Sequence, residues 1–232
     1  MENNYDVFVY CGGKCGSSPL HTTFINNGYK SLHIHDNNYY RKIYKENNNT
    51  IFDLIDNSCK DKKVYIIDSY RTPIERKISS FFQNITIHLP EYKNMSVEEL
   101  IIYFNEYHLA ILEENHSQDE VLEHYNIPLF TTFDFAKGYN IVEKDNKVFI
   151  KLLFRDIKRW GDILSEIMCK EIVIHSNNLT ENKDTYGLYS EFKNKYKVPS
   201  SYMHHLVEND IHFKIYNTIE EQNTYPTKFT FL

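Results

Sequence analysis

The chain has 232 residues, 41% of them hydrophobic and 15% aromatic, and a formal net charge of −6 at pH 7. That length suits one domain and that apolar content fills a sizeable core, which excludes wholesale disorder. The acidic balance excludes a broad nucleic-acid-binding face and leaves room only for a local basic pocket. No apolar run approaches membrane-spanning length, and the N-terminal MENNYDVFVY lacks a basic leader region. The expectation is therefore a soluble, cytoplasmic protein with no membrane span. Cys11, Cys15, Cys59 and Cys169 show neither CxxC pairing nor zinc-type His/Cys spacing, so no metal site is expected.

Taken in order, the first element is an apolar strand, Val7–Tyr10. The chain then breaks at Gly12-Gly13, passes Lys14, Cys15 and Gly16, and reaches Ser17-Ser18-Pro19. A serine hydroxyl reads as the N-cap and Pro19 as an early helical position, with the helix running to Asn27 and stopping at Gly28. Tyr29 to His35 alternates as a second strand; Asn37 to Asn49 is polar and carries no clear signal. Thr50 caps a helix to Ser58, and Val64–Ser69 is the clearest strand, apolar enough for a central parallel position. Thr72 with Glu75 reads as a capping box and Pro73 as the first helical residue, with Ile74, Ile78, Phe81 or Phe82 and Ile85 forming a buried stripe.

Ser96 with Glu99 opens a long helix to about Glu114, and His116 to Tyr125 reads as helix and loop. Tyr139–Lys144 and Lys147–Phe154 form a hairpin or bend around Asp145-Asn146. Trp160–Met168 is an amphipathic helix, Glu171–His175 a short strand, and Thr185–Tyr196 and Ser201–Tyr216 are two further helices. Alternating strands and helices predict a three-layer α/β/α arrangement around a mostly parallel sheet. The whole chain, 1–232, is expected to form one domain, with the helical part from residue 176 packed on it.

The opening stretch predicts an anion cradle. A strand, a glycine-rich turn with a lysine, and a helix N-terminus point backbone N–H groups and the positive end of a helix dipole at one spot. The spacing is not that of a nucleotide triphosphatase, whose lysine follows the last glycine of G-x-x-x-x-G-K-[ST]. Here Lys14 precedes Gly16, in G-G-K-C-G-S-S. A second signal follows the central strand: R-T-P-I-E-R-K-I-S-S-F-F, with Arg71 at the strand's carboxyl end and Ser79 two turns into the next helix. Ligands of open α/β sheets bind at that edge, and an arginine fork suits phosphate.

Together these segments resemble the sulfotransferase superfamily that uses 3′-phosphoadenosine 5′-phosphosulfate (PAPS). The first is similar to the family's 5′-phosphosulfate loop, and the second matches R-x-P-x-x-R-x-x-S-x-F, its 3′-phosphate motif. Ile150–Ile157 resembles a later strand and turn of the family. Asn178–Lys183, Tyr189–Phe192 and Ile215–Asn217 resemble a branch of capsular polysaccharide synthesis proteins.

The resemblance implies a P-loop-like sulfotransferase fold. It also implies a sulfuryl transfer from PAPS to a hydroxyl, with adenosine 3′,5′-bisphosphate as product and no metal. It places the 5′-phosphosulfate on Gly12, Gly13, Lys14, Cys15, Gly16, Ser17 and Ser18, with Lys14 catalytic, and the 3′-phosphate on Arg71 and Ser79. The acceptor it implies is a saccharide hydroxyl. That hydroxyl needs a general base. His35 and His33 lie on one side of the second strand's end, with Asp36 beside them, and no motif decides among them. The competing readings are a P-loop kinase and an inactive nucleotide- or glycan-binding module of the same fold.

Overall fold

The computed structural model describes residues 4–44, 49–109, 117–175 and 185–229. In chain order its main elements are β1 (Val7–Tyr10), α1 (Ser17–Asn26), β2 (Ser31–Ile34), α2 (Asn37–Ile43), α3 (Ile51–Ser58), β3 (Val64–Tyr70), α4 (Pro73–His88), α5 (Val97–Phe104), α6 (Ser117–His124), β4 (Tyr139–Lys144), β5 (Lys147–Leu153), α7 (Trp160–Met168), α8 (Tyr186–Lys195), α9 (Ser200–Asn209), α10 (Ile211–Tyr216) and α11 (Ile219–Phe229). The chain divides into two compact units, Met1–Arg71 with Asn115–Asn178, and Thr72–Glu114 with Leu179–Leu232.

The first unit is an α/β sheet of five strands in the order β2-β1-β3-β5-β4. β2, β1, β3 and β5 run parallel, and β4 is antiparallel to β5 at one edge. The mostly parallel sheet expected from the alternating pattern is present. Both faces of the central strands are covered, which is why β1 is an unbroken apolar run and β5, buried throughout, is broken after Lys147 only by Lys151. On one face Val7, Val9, Ile67 and Ile150 pack with Leu20 and Phe24 of α1 and Trp160 and Leu164 of α7. On the other, Phe8, Tyr10, Ile66 and Phe149 pack with Tyr40 of α2, Ile51 and Ile55 of α3, and Val121 and Leu122 of α6.

The second unit is helical. Phe81 and Phe82 of α4, Phe104 of α5, and Phe192 and Tyr196 at α8 form its aromatic centre, with Phe81 and Phe104 centroids 5.4 Å apart. Offset and edge-on ring pairs at such spacing add directional attraction to the area they bury.

Several boundaries differ from the sequence reading, each for a local reason. Gly16 rather than a serine caps α1, so Ser17 and Ser18 lie inside the first turn. Asp36 caps α2 by accepting from Tyr39 N at 2.6 Å, in a segment that looked featureless. The Thr50–Asp53 and Ser96–Glu99 capping boxes form.

The Thr72–Glu75 capping box does not form. Thr72 donates its hydroxyl to Glu75, which also accepts from Tyr225 at 2.6 Å and Lys228 at 2.8 Å. Burial alone would raise the Glu75 carboxyl; the bonds from Lys228, Thr72 and Tyr225 outweigh it and hold the group below its usual range.

Regular α5 ends at Phe104 and continues as a π-turn to Leu109; the rest of the expected long helix lies outside the described residues. Glu171–His175 is not a strand. Its N–H groups go to side chains instead: Ile172 to Ser165 Oγ, Val173 to Asn27 Oδ1 and His175 to Thr23 Oγ1. The expected Ser201–Tyr216 helix is two helices, broken where Asp210 caps α10 through Phe213 N. The segment Asn178–Lys183 lies outside the described residues. Among those residues no helix is long and apolar enough to cross a membrane.

Candidate functional site

β1 is fully buried and delivers the chain to Cys11 at the carboxyl edge of the sheet, where Cys11 N still donates to Ile34 O at 3.0 Å. The next five residues fold back tightly, with Cys15 N donating to Gly12 O at 3.3 Å. Two residues of this loop are left-handed, Lys14 at φ 68° and Gly16 at φ 90°. For Lys14 that conformation is costly, because an L side chain crowds the following carbonyl there. For Gly16 it is accessible, and glycine is also required by space. A Cβ at Gly16 would lie 2.7 Å from Trp160 Cη2 and 3.0 Å from Phe154 Cδ2.

What holds the loop in this shape comes from β3. Arg71 Nη1 donates to Lys14 O at 3.0 Å, and the buried Ser69 hydroxyl donates to Cys15 O. The Arg71 guanidinium also stacks over the Phe154 ring at 4.5 Å, a cation–π arrangement that fixes its plane. With these carbonyls tied to the sheet, the first turn of α1 has no side-chain cap, and Gly16, Ser17 and Ser18 N–H have no acceptor among the described residues. Ser17 is buried and Ser18 exposed. Uncapped donors at the positive end of a ten-residue helix suit an anion. Cys11 and Cys15 are packing residues, buried with Leu20 and Trp160. Burial, with the Asp68 carboxylate alongside, pushes the Cys11 thiol well up and leaves it inert.

The two histidines share one side of β2, with ring centroids 4.9 Å apart, and His21 of α1 lies 5.8 Å from His33. Their environments differ. Burial first, then the neighbouring His35 and His21, depress His33 to about 4, and its Nε2 is enclosed without a hydrogen-bond partner among the described residues. His35 Nδ1 lies 2.8 Å from Cys11 O. A carbonyl only accepts, so Nδ1 carries a proton, and in the neutral ring Nε2 is the nitrogen with the lone pair. Asp36, the third candidate, spends its carboxylate on the α2 cap.

No match to this chain was found among family models, curated proteins or solved structures.

The first unit thus brings together Gly12 to Ser18, Arg71, His33 and His35, all within Met1–Arg71. Ser79 belongs to the second unit, half-buried on α4. Sequence reasoning missed Ser69 and Phe154, which shape the loop and seat Arg71. It also missed a polar row across the sheet. The adjacent strands β3 and β5 pair Asp68 with Lys151 in register, and the two form a buried ion pair. Next to it, Tyr10 donates to Glu120 of α6 at 2.5 Å. Asp119 of α6 is half-buried; burial pushes its carboxyl up to about 6, with Lys151 opposing the shift and Asp68 and Glu123 adding to it.

Proposed function

We propose that this protein transfers a sulfuryl group from PAPS to a hydroxyl of an acceptor, a saccharide in the reading adopted here. The observation that carries the proposal is the loop itself. The N–H groups of Gly16, Ser17 and Ser18, without an acceptor among the described residues, follow Lys14 in a loop at the carboxyl edge of the sheet, where Arg71 follows β3. A phosphosulfate group fits that donor set: anionic oxygens for the N–H groups, and an ammonium for the charge that grows on the departing phosphate oxygen.

In this reading PAPS supplies an activated sulfuryl group whose S–O bond to phosphate breaks as the acceptor oxygen bonds to sulfur. Gly13 to Ser18 orient the phosphosulfate. Lys14 stabilises the leaving oxygen, which acts more in the transition state than in the ground state and so raises turnover rather than affinity. Arg71 carries the 3′-phosphate role, and Ser79→Ala tests the part that the resemblance gives to Ser79. His35, with its lone pair on Nε2, takes the proton of the acceptor hydroxyl; His33, depressed to about 4, is a poor proton acceptor near neutral pH.

Against the kinase reading stands the state of Asp68, the acidic residue of β3, which is buried and committed to Lys151 rather than open to a nucleotide-bound cation. Calorimetry with adenosine 3′,5′-bisphosphate in the presence of a chelator tests the proposal, followed by labelled donor offered to a panel of sugars. Tight chelator-resistant binding and label transfer are expected. Preference for ATP with magnesium would overturn the reading in favour of phosphoryl transfer.

A further inference from the structure

Ser69 has no part in the reading above, yet it is the buried residue that reaches the loop from behind. It is the penultimate residue of β3 and only 2% exposed. Its hydroxyl donates to Cys15 O, and its own N–H donates to Asp68 Oδ1 at 2.7 Å. Asp68 Oδ2 in turn accepts from Lys151 of β5. A continuous line of hydrogen bonds therefore runs from β5 through β3 to the loop.

The peptide unit between Cys15 and Gly16 is planar and trans, so its C=O and N–H point in opposite directions. Pinning Cys15 O to the strand fixes where Gly16 N–H points, and that N–H is the first of the loop donors without an acceptor among the described residues. Glycine at 16 makes this unit easy to flip, because a residue without a Cβ exchanges positive and negative φ at little cost. A flip would turn the Cys15 carbonyl, with its partial negative charge, to where the N–H had pointed.

We propose that Ser69 is a positioning residue for this site: its hydroxyl locks the Cys15–Gly16 peptide in the donor-out orientation. The consequence for ligand binding rests on the anion-loop reading above; the lock itself does not. Ser69→Ala removes the hydroxyl at small cost in volume, and Ser69→Thr keeps it. Two measurements are made on the full chain, the 15N–1H resonance of Gly16 and calorimetry with adenosine 3′,5′-bisphosphate.

The Gly16 amide is expected to be single and sharp in wild type and Ser69→Thr, and shifted or exchange-broadened in Ser69→Ala. Affinity should fall about tenfold in Ser69→Ala, the size of one lost hydrogen bond with its acceptor left buried, and recover in Ser69→Thr. An unchanged Gly16 amide in Ser69→Ala overturns the proposal, as does a Ser69→Thr variant that behaves like the alanine. If wild type binds no bisphosphate while the amide responds as stated, the sulfuryl-transfer reading falls and the lock stands.

Discussion

Replacing Gly16 by alanine puts the loop geometry to its most direct quantitative test. Two costs add. A side chain at φ 90° meets the left-handed penalty of about 1–2 kcal/mol. The new Cβ would also sit 2.7 Å from Trp160 Cη2 and 3.0 Å from Phe154 Cδ2, and relieving such overlap against packed rings costs about 1–3 kcal/mol. The sum, about 2–5 kcal/mol, is a large part of the about 5–15 kcal/mol that holds a typical protein folded. Trp160 is the chain's one tryptophan and is fully buried against this loop, so its fluorescence reports unfolding of the first unit.

In a urea titration the midpoint of Gly16→Ala should fall by about 1–2 M, taking a slope of about 2–3 kcal/mol per molar. Gly13→Ala is the control. A Cβ there has nothing within 4 Å, so its midpoint should stay close to wild type. Equal midpoints for Gly16→Ala and wild type would refute both the close approach of Trp160 and the left-handed turn.

Other expectations concern charge and conformation in the same unit. Lys14→Ala should cost far more in turnover than in bisphosphate affinity, measured by labelled transfer and calorimetry, whereas equal losses would make the lysine a simple binding group. Lys14→Gly should abolish transfer too, yet raise the urea midpoint by relieving the φ of 68°. Arg71→Ala should weaken every loop ligand somewhat, because Lys14 O loses its donor, but should weaken adenosine 3′,5′-bisphosphate well beyond adenosine 5′-phosphate. An identical loss for both would confine Arg71 to holding the loop.

Two titrations oppose each other. His33, depressed from 6.5 to about 4, stays neutral in the fold while the unfolded chain takes up a proton, so its contribution makes stability fall as pH drops through 6.5 to 4. Asp119, raised from 3.8 to about 6, holds a proton that the unfolded chain releases, so its contribution makes stability fall as pH rises through that window. Asp119→Asn should therefore steepen the rise of the urea midpoint between pH 4 and 6; a flatter profile would contradict the assignment.

The elements that could be read from the sequence were those whose signal is local. The buried runs of β1 and β3, the Thr50 and Ser96 boxes, and the loop between β1 and α1 all declare themselves within a few residues. The failures share a different cause. Glu171–His175 has the composition of a strand, but its N–H groups meet the side chains of Asn27 and Thr23, fixed far away in sequence. α11 carries Pro226 and buries only Tyr225 and Phe229 among its described side chains, too sparse a stripe to stand out. Arg71 stands out in the sequence at the end of β3, yet its bond to Lys14 O and its stacking on Phe154 depend on partners 57 residues before it and on another strand's end. Ser69 is the extreme case. A strand serine carries no mark of a carbonyl 54 residues earlier.

The ion pair between Asp68 and Lys151 has a consequence for how the sheet assembles. β5 is buried along all seven residues, so its apolar pattern has no alternation to tell one alignment against β3 from the next. A slip by one residue would carry Lys151 to the opposite face, and a slip by two would move it about 7 Å along the strand. Either error strands an ammonium and a carboxylate away from water, at a cost of several kcal/mol. Two charges that add little to the depth of the native energy minimum thus raise its misaligned competitors, so the pair selects one register where the apolar pattern does not.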